Sequence, residues 1–363
     1  MKILNISPFP VLDLSQGAET HTFSCLTRLV TGNQVTLLCP PCKSGERQPW
    51  ENFSLVDVLP ARKRKYFSFS TLRWILRLHK RHDKTIIDYP WFGLYLVPLR
   101  VLFGKHYEVR ELDIQFLRFR GFRKWYWPLV YVFEYLVCRL SDRLRCISAH
   151  DMEAAKRYFK IRADRCIVEA FIPDARRFYP SEEYRSRIRE HLGIAGDEVF
   201  ILFYGKLSYK PNLEAVRLIK EELIPRLNRY EGFRYRVVIV GLNPPRIPDP
   251  RFIYTGFVRF IEQYVQSCDV MINPVILGGG VKTKVLEALA CGKPVVSTES
   301  GARGIERELY KGRLFVCGDT DWEAFATKVA SFSFTLKITK NPLDFLNDEK
   351  EDIYTDDDLK IKY

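Results

Sequence analysis

The sequence predicts an α/β chain built from two successive doubly wound, Rossmann-like units. Three observations predict it. Short apolar runs of β character alternate with helical stretches from the N-terminus onward. The same alternation restarts near residue 199. The length of 363 residues exceeds one ordinary core and suits two domains of about 150 residues each. Strands that alternate with helices are the mark of a parallel sheet covered on both faces.

Residues 2–8 (KILNISP) and 34–40 (QVTLLCP) read as strands, and residues 18–30 between them place apolar side chains at helical spacing. Residues 84–90, 106–112 and 142–148 are further strand candidates with helical stretches between them. Residues 168–180 (VEAFIPDARRFYP) carry the prolines and turn residues of a linker. The second unit then runs from the strand 199–206 (VFILFYGK) to a helix from Asn212. It continues through strands at 235–241, 251–257 and 269–274. In open sheets of this kind ligands bind beyond the carboxyl ends of the strands, so two such units facing each other make a cleft.

Composition narrows the class. Hydrophobic residues are 47% and charged residues 28%, an ordinary globular balance, and no apolar run reaches membrane-spanning length. The start, MKILNISPFP, reads as a first strand rather than a signal peptide. The nine cysteines are scattered and several fall in apolar runs, which suits buried thiols in a reducing compartment and a cytoplasmic location. Cys39-Pro-Pro-Cys42 has neither a second pair for zinc nor a following helix for redox work, and reads as a loop. The net charge is +13, although residues 337–363 carry five lysines against eight acidic residues, so the rest is more basic still. Such a balance calls for an anionic partner: phosphates, a membrane surface or nucleic acid. Nucleic-acid recognition would need a motif that the sequence lacks, so no specific nucleic acid is expected. The acidic stretch at 335–363 is expected to be disordered, with Asp356-Asp357-Asp358 solvated.

The most informative stretch is residues 278–298, GGGVKTKVLEALACGKPVVST. Glycines let a backbone approach a ligand closely. Lysines and the free amides of a helix N-terminus favour a phosphate. Glu287 falls about two helical turns on, roughly 9 Å along the axis, where a carboxylate could accept hydrogen bonds from a sugar hydroxyl. Gly292, Pro294 and Val295-Val296 read as helix stop and buried strand. Lys282 and Lys284 are two apart and point to different sides of a helix, so Lys282 is the phosphate candidate and Lys284 is expected as a surface charge.

This run resembles the nucleotide-sugar motif of the family-4 retaining glycosyltransferases, which have the GT-B fold of two Rossmann-like domains facing across a cleft. The resemblance implies an acceptor-binding domain at 1–170 and a nucleotide-sugar-binding domain at 171–334. It implies that Glu287 binds the ribose of the donor, that Gly279, Gly280 and Val281 present amides to the diphosphate, and that Lys282 adds charge. The family has a glycine and a basic residue after the first strand of the second domain, and Gly205 and Lys206 match. A cation there can hold the negative charge that develops on a diphosphate leaving group. The usual second lysine is replaced by Lys210, one position early, with Pro211-Asn212 resembling a subgroup. The family's first glutamate, eight positions before Glu287, is Gly279 here, and a G-x-G-x-K-x-K variant occurs among relatives of this kind.

In the first domain the family keeps a glycine-rich turn after strand one. Ser15-Gln16-Gly17-Ala18 retains only Gly17, and the absence of G-x-G-x-x-G argues against a dinucleotide dehydrogenase. Glu111 and Asp113 are the candidate acid or base groups of this domain, with Asp113 the preferred match. The catalytic set is thus Asp113, Lys206 and Glu287. The resemblance implies no metal and no cofactor, with a UDP- or GDP-sugar as donor substrate and a glycan or lipid-linked acceptor in polysaccharide or glycoconjugate biosynthesis. Two basic aromatic runs, residues 62–67 and 118–127, suit an anionic membrane surface, so peripheral attachment to the cytoplasmic membrane face is expected. The rival reading is a catalytically inactive GT-B scaffold that binds a nucleotide or partner.

Overall fold

The computed structural model describes residues 1–13, 17–43, 51–60, 66–243 and 249–338, with side chains as far as residue 332. Ser15, Gln16, the basic residues 62–65 and residues 339–363, Asp356-Asp357-Asp358 included, lie outside the described residues. Two compact units make up the chain. One comprises Met1–Asp174 with Leu277–Thr283 and Arg303–Ile305; the other comprises Ala175–Ile276 with Lys284–Ala302 and the chain from Glu306.

The first unit contains β1 (Lys2–Ile6), α1 (Gly17–Val30), β2 (Gln34–Leu38), β3 (Phe53–Val56), α2 (Phe69–His79), β4 (Lys84–Asp88) and α3 (Gly93–Phe103). It continues with β5 (Glu108–Glu111), α4 (Gln115–Gly121), α5 (Trp127–Leu140), β6 (Arg143–Cys146), α6 (Ala149–Phe159) and β7 (Cys166–Val168). The sheet order is β3-β2-β1-β4-β5-β6-β7, and every neighbouring pair is parallel. Successive side chains on a strand face opposite ways. Ile3 and Ile86 therefore enter one core with Phe23 and Leu26 of α1, while Leu4, Ile6 and Ile87 enter the other with Ile75 of α2, Leu96 of α3 and Val137 of α5. The expected strands contain β1, β2, β4, β5 and β6. β3 and β7 escaped the sequence reading because edge strands of four and three residues are too short to show a period.

β5 is the least obvious strand. Its sequence is Glu-Val-Arg-Glu, yet all four residues are buried. The charges are matched: Glu108 accepts from Arg145 Nε at 2.6 Å and pairs with Lys84 Nζ at 2.6 Å. Arg110 donates through Nη1 to Asp88 Oδ1 at 2.5 Å and to Asn5 Oδ1 at 2.8 Å, and through Nε to Glu169 Oε2 at 2.8 Å. Burial alone would raise the Glu169 carboxyl, but the charges of Arg110 and Arg145 bring it down to about 2. Burial holds His21, whose Nε2 lies 3.1 Å from the Glu169 carbonyl, neutral with a pKa lowered to about 3.

The second unit contains α7 (Arg185–Leu192), β8 (Val199–Tyr204), α8 (Lys210–Leu218), a π-turn (Ile219–Leu223), α9 (Ile224–Leu227), β9 (Tyr235–Val240), β10 (Phe252–Gly256) and α10 (Ile261–Ser267). It ends with β11 (Val270–Asn273), α11 (Thr283–Ala290), β12 (Val295–Thr298), β13 (Leu314–Cys317) and α12 (Trp322–Ile338). Its six strands are parallel in the order β10-β9-β8-β11-β12-β13. β8 is buried along its whole length, with Val199, Ile201 and Phe203 in the core cluster on one face and Phe200 and Leu202 on the other. α8 starts at Lys210, two residues before the expected Asn212, because Pro211 sits in the first turn where its missing N–H costs nothing. α12 continues past residue 334, where the acidic stretch was expected to begin, to Ile338. No helix of the described residues is long and apolar enough to cross a membrane, and every described cysteine is a free thiol. Cys39 and Cys42 lie in the loop after β2.

Removing one partner from a buried ion network strands the others and costs about 3–5 kcal/mol. Arg110→Leu is therefore expected to lower the unfolding temperature of the first unit by on the order of 10 °C, measured by calorimetry. Arg165→Leu, on a part-exposed arginine that bonds backbone carbonyls only, should cost much less.

Candidate active site

Strand order in the second sheet reverses at β8, which has β9 on one side and β11 on the other. Ligands of such sheets bind beyond the carboxyl ends at this reversal. β8 ends there in Tyr204, followed by Gly205 and the exposed Lys206. Gly205 has φ 150°, and a Cβ on it would come within 2.8 Å of Asn212 Nδ2, so no larger residue fits. Asn212 donates that amide to the Lys206 carbonyl at 3.0 Å and fixes the turn.

Three side chains converge behind this turn. Tyr204 donates its hydroxyl to Glu287 Oε2 at 2.5 Å. Lys284 donates Nζ to the Tyr204 carbonyl at 3.2 Å and to Asn212 Oδ1 at 3.1 Å, with its ammonium 4.0 Å from the centroid of the Phe203 ring. Glu287 and Lys284 are both buried. Burial raises the Glu287 carboxyl above its ordinary value, opposed by the Tyr204 hydrogen bond. Among the described residues Tyr204 is the one hydrogen-bond donor to this carboxylate, through a single oxygen. The expectation that Lys284 is a surface charge is thus corrected. α11 turns it inward, where its ammonium ties the end of β8 to the start of α8.

The other candidate residues belong to the first unit. The segment Leu277–Thr283 lies against the turn after β5. A Cβ on Gly279 would come within 3.0 Å of Asp113 Oδ2, and one on Gly280, at φ 67°, within 2.7 Å of the Leu112 carbonyl. A Cβ on Gly17, at the start of α1, would come within 3.1 Å of Thr283 Oγ1. Val281 is half-buried, and its Cγ2 lies 2.9 Å from where a Cβ on Gly304 would stand. The structure therefore groups Gly17, Asp113, Gly279, Gly280, Val281 and Lys282 in the first unit, and Gly205, Lys206 and Glu287 in the second.

Asp113 is buried and accepts from Gln115 Nε2, with Arg118 Nη1 3.5 Å from its Oδ2. Its turn is held by Glu134 of α5, which accepts the amides of Gln115 at 2.7 Å and Phe116 at 2.8 Å. Burial pushes Glu134 up to about 8 despite those two donors. Glu111, the other carboxylate considered, is fully buried at the end of β5 and burial raises it well above the usual range. Lys282 is half-buried and donates Nζ to the carbonyls of Gly279 at 3.0 Å and Gly280 at 2.9 Å. Loss of solvent lowers its pKa to about 8, against the pull of Asp113 and with a push from Arg303. Among the described residues no group of three His, Cys, Asp or Glu side chains is placed to hold a metal.

Sequence reasoning missed Tyr204, Asn212 as an orienting group, and Glu134. Tyr204 and Asn212 sat inside runs that were singled out, but only the fold shows that their polar tips meet Lys284 and Glu287. Glu134 gave no signal, because its carboxylate serves amides nearly twenty residues away in sequence.

Over 93% of its length the chain superposes on 92% of a sucrose-phosphate synthase from Thermosynechococcus elongatus, with a TM-score of 0.71 at 14% identity. The fold is GT-B. A second GT-B structure, HepE of Anabaena in complex with UDP-glucose, covers 93% of this chain and 93% of its own at TM-score 0.67 and 15% identity. WaaG, described as a glycosyltransferase involved in lipopolysaccharide biosynthesis, covers 98% of this chain and 96% of its own at TM-score 0.63 and 12% identity. Residues 198–333 match the model of the family Glycosyl transferases group 1. No curated relative matches the sequence. The family match and the structural neighbours together support a glycosyltransferase of the GT-B type.

Two outcomes follow from the geometry. If Lys282 contacts a phosphate, UDP affinity should weaken as pH rises through about 8, where the free lysine loses its proton; calorimetric titration between pH 7 and 9 reads this, and Lys282→Arg, which keeps its charge, should flatten the dependence. Tyr204→Phe leaves one Glu287 oxygen without its donor and should cost about 1.5–3 kcal/mol in unfolding free energy, read by urea denaturation.

Proposed function

We propose that this protein is a retaining, metal-independent glycosyltransferase that moves a sugar from a UDP- or GDP-sugar to a glycan or lipid-linked acceptor in polysaccharide or glycoconjugate biosynthesis. The observation that carries the proposal is the buried Glu287 carboxylate at the reversal point of the second sheet. A buried carboxylate needs hydrogen-bond donors, and the two hydroxyls of a ribose would supply them. Gly205 and Lys206 follow the end of β8, whose Tyr204 meets Glu287. The family match of residues 198–333 covers all three residues, and the HepE complex makes UDP-glucose a natural first donor to try.

In the proposed reaction the bond between the anomeric carbon and the diphosphate oxygen breaks, and the bonding pair leaves with the diphosphate. Lys206 and Lys282 neutralise the charge that gathers there, helped by the amides of Gly279, Gly280 and Val281. The acceptor hydroxyl attacks from the same face and passes its proton to the departing phosphate, so configuration is retained. Gly17, with no Cβ, lets Thr283 approach the start of α1 closely. Asp113 in the first unit, which is assigned to the acceptor, orients a hydroxyl of the reacting sugars. Gly279 in place of the family's first glutamate favours a second reading, a scaffold that binds nucleotide without turnover.

The deciding assay offers UDP- and GDP-sugars with and without EDTA and reads product anomer by NMR. Glu287→Ala is expected to reduce donor kcat/KM about 100-fold, with Tyr204→Phe, which loses the same hydrogen bond but keeps the carboxylate, as the control for lost stability. Unchanged turnover would remove Glu287 from the site, and an inverted product would remove the retaining assignment. UDP-induced thermal stabilisation without hydrolysis or transfer of any donor would favour the scaffold.

A further inference from the structure

α5, WPLVYVFEYLVCRL, has Glu134 and Arg139 as its only charged residues, yet it lies on the surface. Its inner face packs Val130 and Val137 into the core. Its outer stripe is Leu129, Val132 and Leu136, spaced as one helical face and all exposed, Leu129 at 67%. A surface helix ordinarily turns charged side chains outward. α3 shows the same departure, with Val101, Leu102 and Phe103 exposed at its end, Leu102 at 71%. α3 packs on α5, and Trp91, just before α3, stacks on Phe133 of α5 with ring centroids 6.0 Å apart. Both helices and α2 feed one core cluster on one side of the first sheet, so their outer faces look the same way.

Charge on this side is segregated. α2 turns Arg73 and Arg77 outward. The turn between α4 and α5 exposes Arg120, Arg123 and Lys124, with Trp125 beside them at 82% exposure. Within α2, α3, α4, α5 and residues 122–126 the only acidic residue is Glu134, and it is buried under the Asp113 turn. These elements therefore offer an apolar stripe, an exposed tryptophan and a basic flank with no exposed carboxylate; the neighbouring α6, which feeds the same core, carries the exposed Glu153, paired with Lys156 Nζ at 2.7 Å. A second copy of the same face would set its arginines against arginines. An anionic phospholipid surface complements the charge, accepts the apolar stripe at the level of the acyl boundary, and suits tryptophan at the interface.

We propose that the outer face of α3 and α5, with the turn 122–126, docks this protein on an anionic phospholipid membrane. The proposal is independent of the donor-site reading, because none of its residues belongs to that site. Of the two basic aromatic runs expected to meet a membrane, it keeps residues 118–127, through the turn 122–126, and adds the outer faces of α3 and α5.

The test is co-sedimentation of the full chain with vesicles of phosphatidylglycerol and phosphatidylcholine, and with phosphatidylcholine alone. Binding is expected to the anionic vesicles only and to fall steeply between 0.1 and 0.5 M salt, roughly the range over which exposed charges are screened. One basic side chain near such a surface changes partition about fivefold. Arg123→Ala/Lys124→Ala should therefore weaken binding roughly 25-fold, and Val132→Asn/Leu136→Asn should weaken it as well. Both pairs point outward, so the unfolding temperature and its UDP-induced rise should stay at wild-type values; fluorescence of Trp125, read as the difference from Trp125→Phe, should be quenched by brominated phosphatidylglycerol. Equal binding to neutral vesicles, no binding at all, or vesicle binding untouched by both pairs of substitutions would overturn the proposal. So would a solution dimer dispersed by Val132→Asn/Leu136→Asn without vesicle binding, which would assign the face to a second copy.

Discussion

The constraint on which the rest depends is that both sheets are entirely parallel. Parallel strands all end on one edge, and each must be reached by a crossover, usually through a helix. When the strand order reverses, the crossovers leave to opposite faces and a crevice opens at that edge. In the second sheet the reversal is at β8, with β11 beside it. The residues of the second unit that follow those two strands, Gly205 and Lys206 after β8 and Lys284 and Glu287 of α11 after β11, are brought to that edge by topology. Glu287 can then be buried because a tyrosine at the end of β8 reaches it. Lys284 can be buried because a carbonyl, an asparagine amide oxygen and an aromatic face receive its ammonium.

The first sheet pays for its parallel order differently. Its interior strand β5 has three charged residues out of four, and the charges are tolerated because Arg110, Arg145 and Lys84 meet Asp88, Glu108 and Glu169. The same unit places Glu134 where a carboxylate caps the turn that holds Asp113. A buried group that serves backbone amides is what keeps a second carboxylate, a few residues away, in one orientation. Apolar packing does the remaining work, and where apolar side chains are left over, on α3 and α5, they face outward in a basic surrounding.

Much of the fold was legible in the chain. The alternation of apolar runs with helical stretches located most of the central strands, and the restart at residue 199 located the second sheet. The short edge strands β3, β7 and β13 were not singled out, although β5, β6, β11 and β12, equally short, were placed from their flanks. β5 was readable as a strand from its flanks, but the reason its charges are buried was not, since the partners come from β4, β6 and the segment after β7. The motif spacing singled out Lys282 and Glu287, and the family resemblance Gly205 and Lys206, as candidates; the structure places Lys282 in the first unit and the other three in the second. Two-residue spacing also suggested that Lys284 faces solvent, and this failed because the opposite side of α11 faces the end of β8, not water. The exposure of the outer faces of α3 and α5 was not legible for a related reason: an apolar helix looks the same in sequence whether or not anything covers it.

Everything proposed for the second unit turns on Glu287 being a ligand-binding carboxylate rather than a structural one. A crystal structure of the protein grown with UDP addresses this directly. The account predicts ribose hydroxyls within hydrogen-bond distance of the Glu287 carboxylate, with the Tyr204 hydroxyl still bonded to Oε2. A nucleotide bound elsewhere, or a Glu287 whose carboxylate meets only protein groups in the complex, would contradict it.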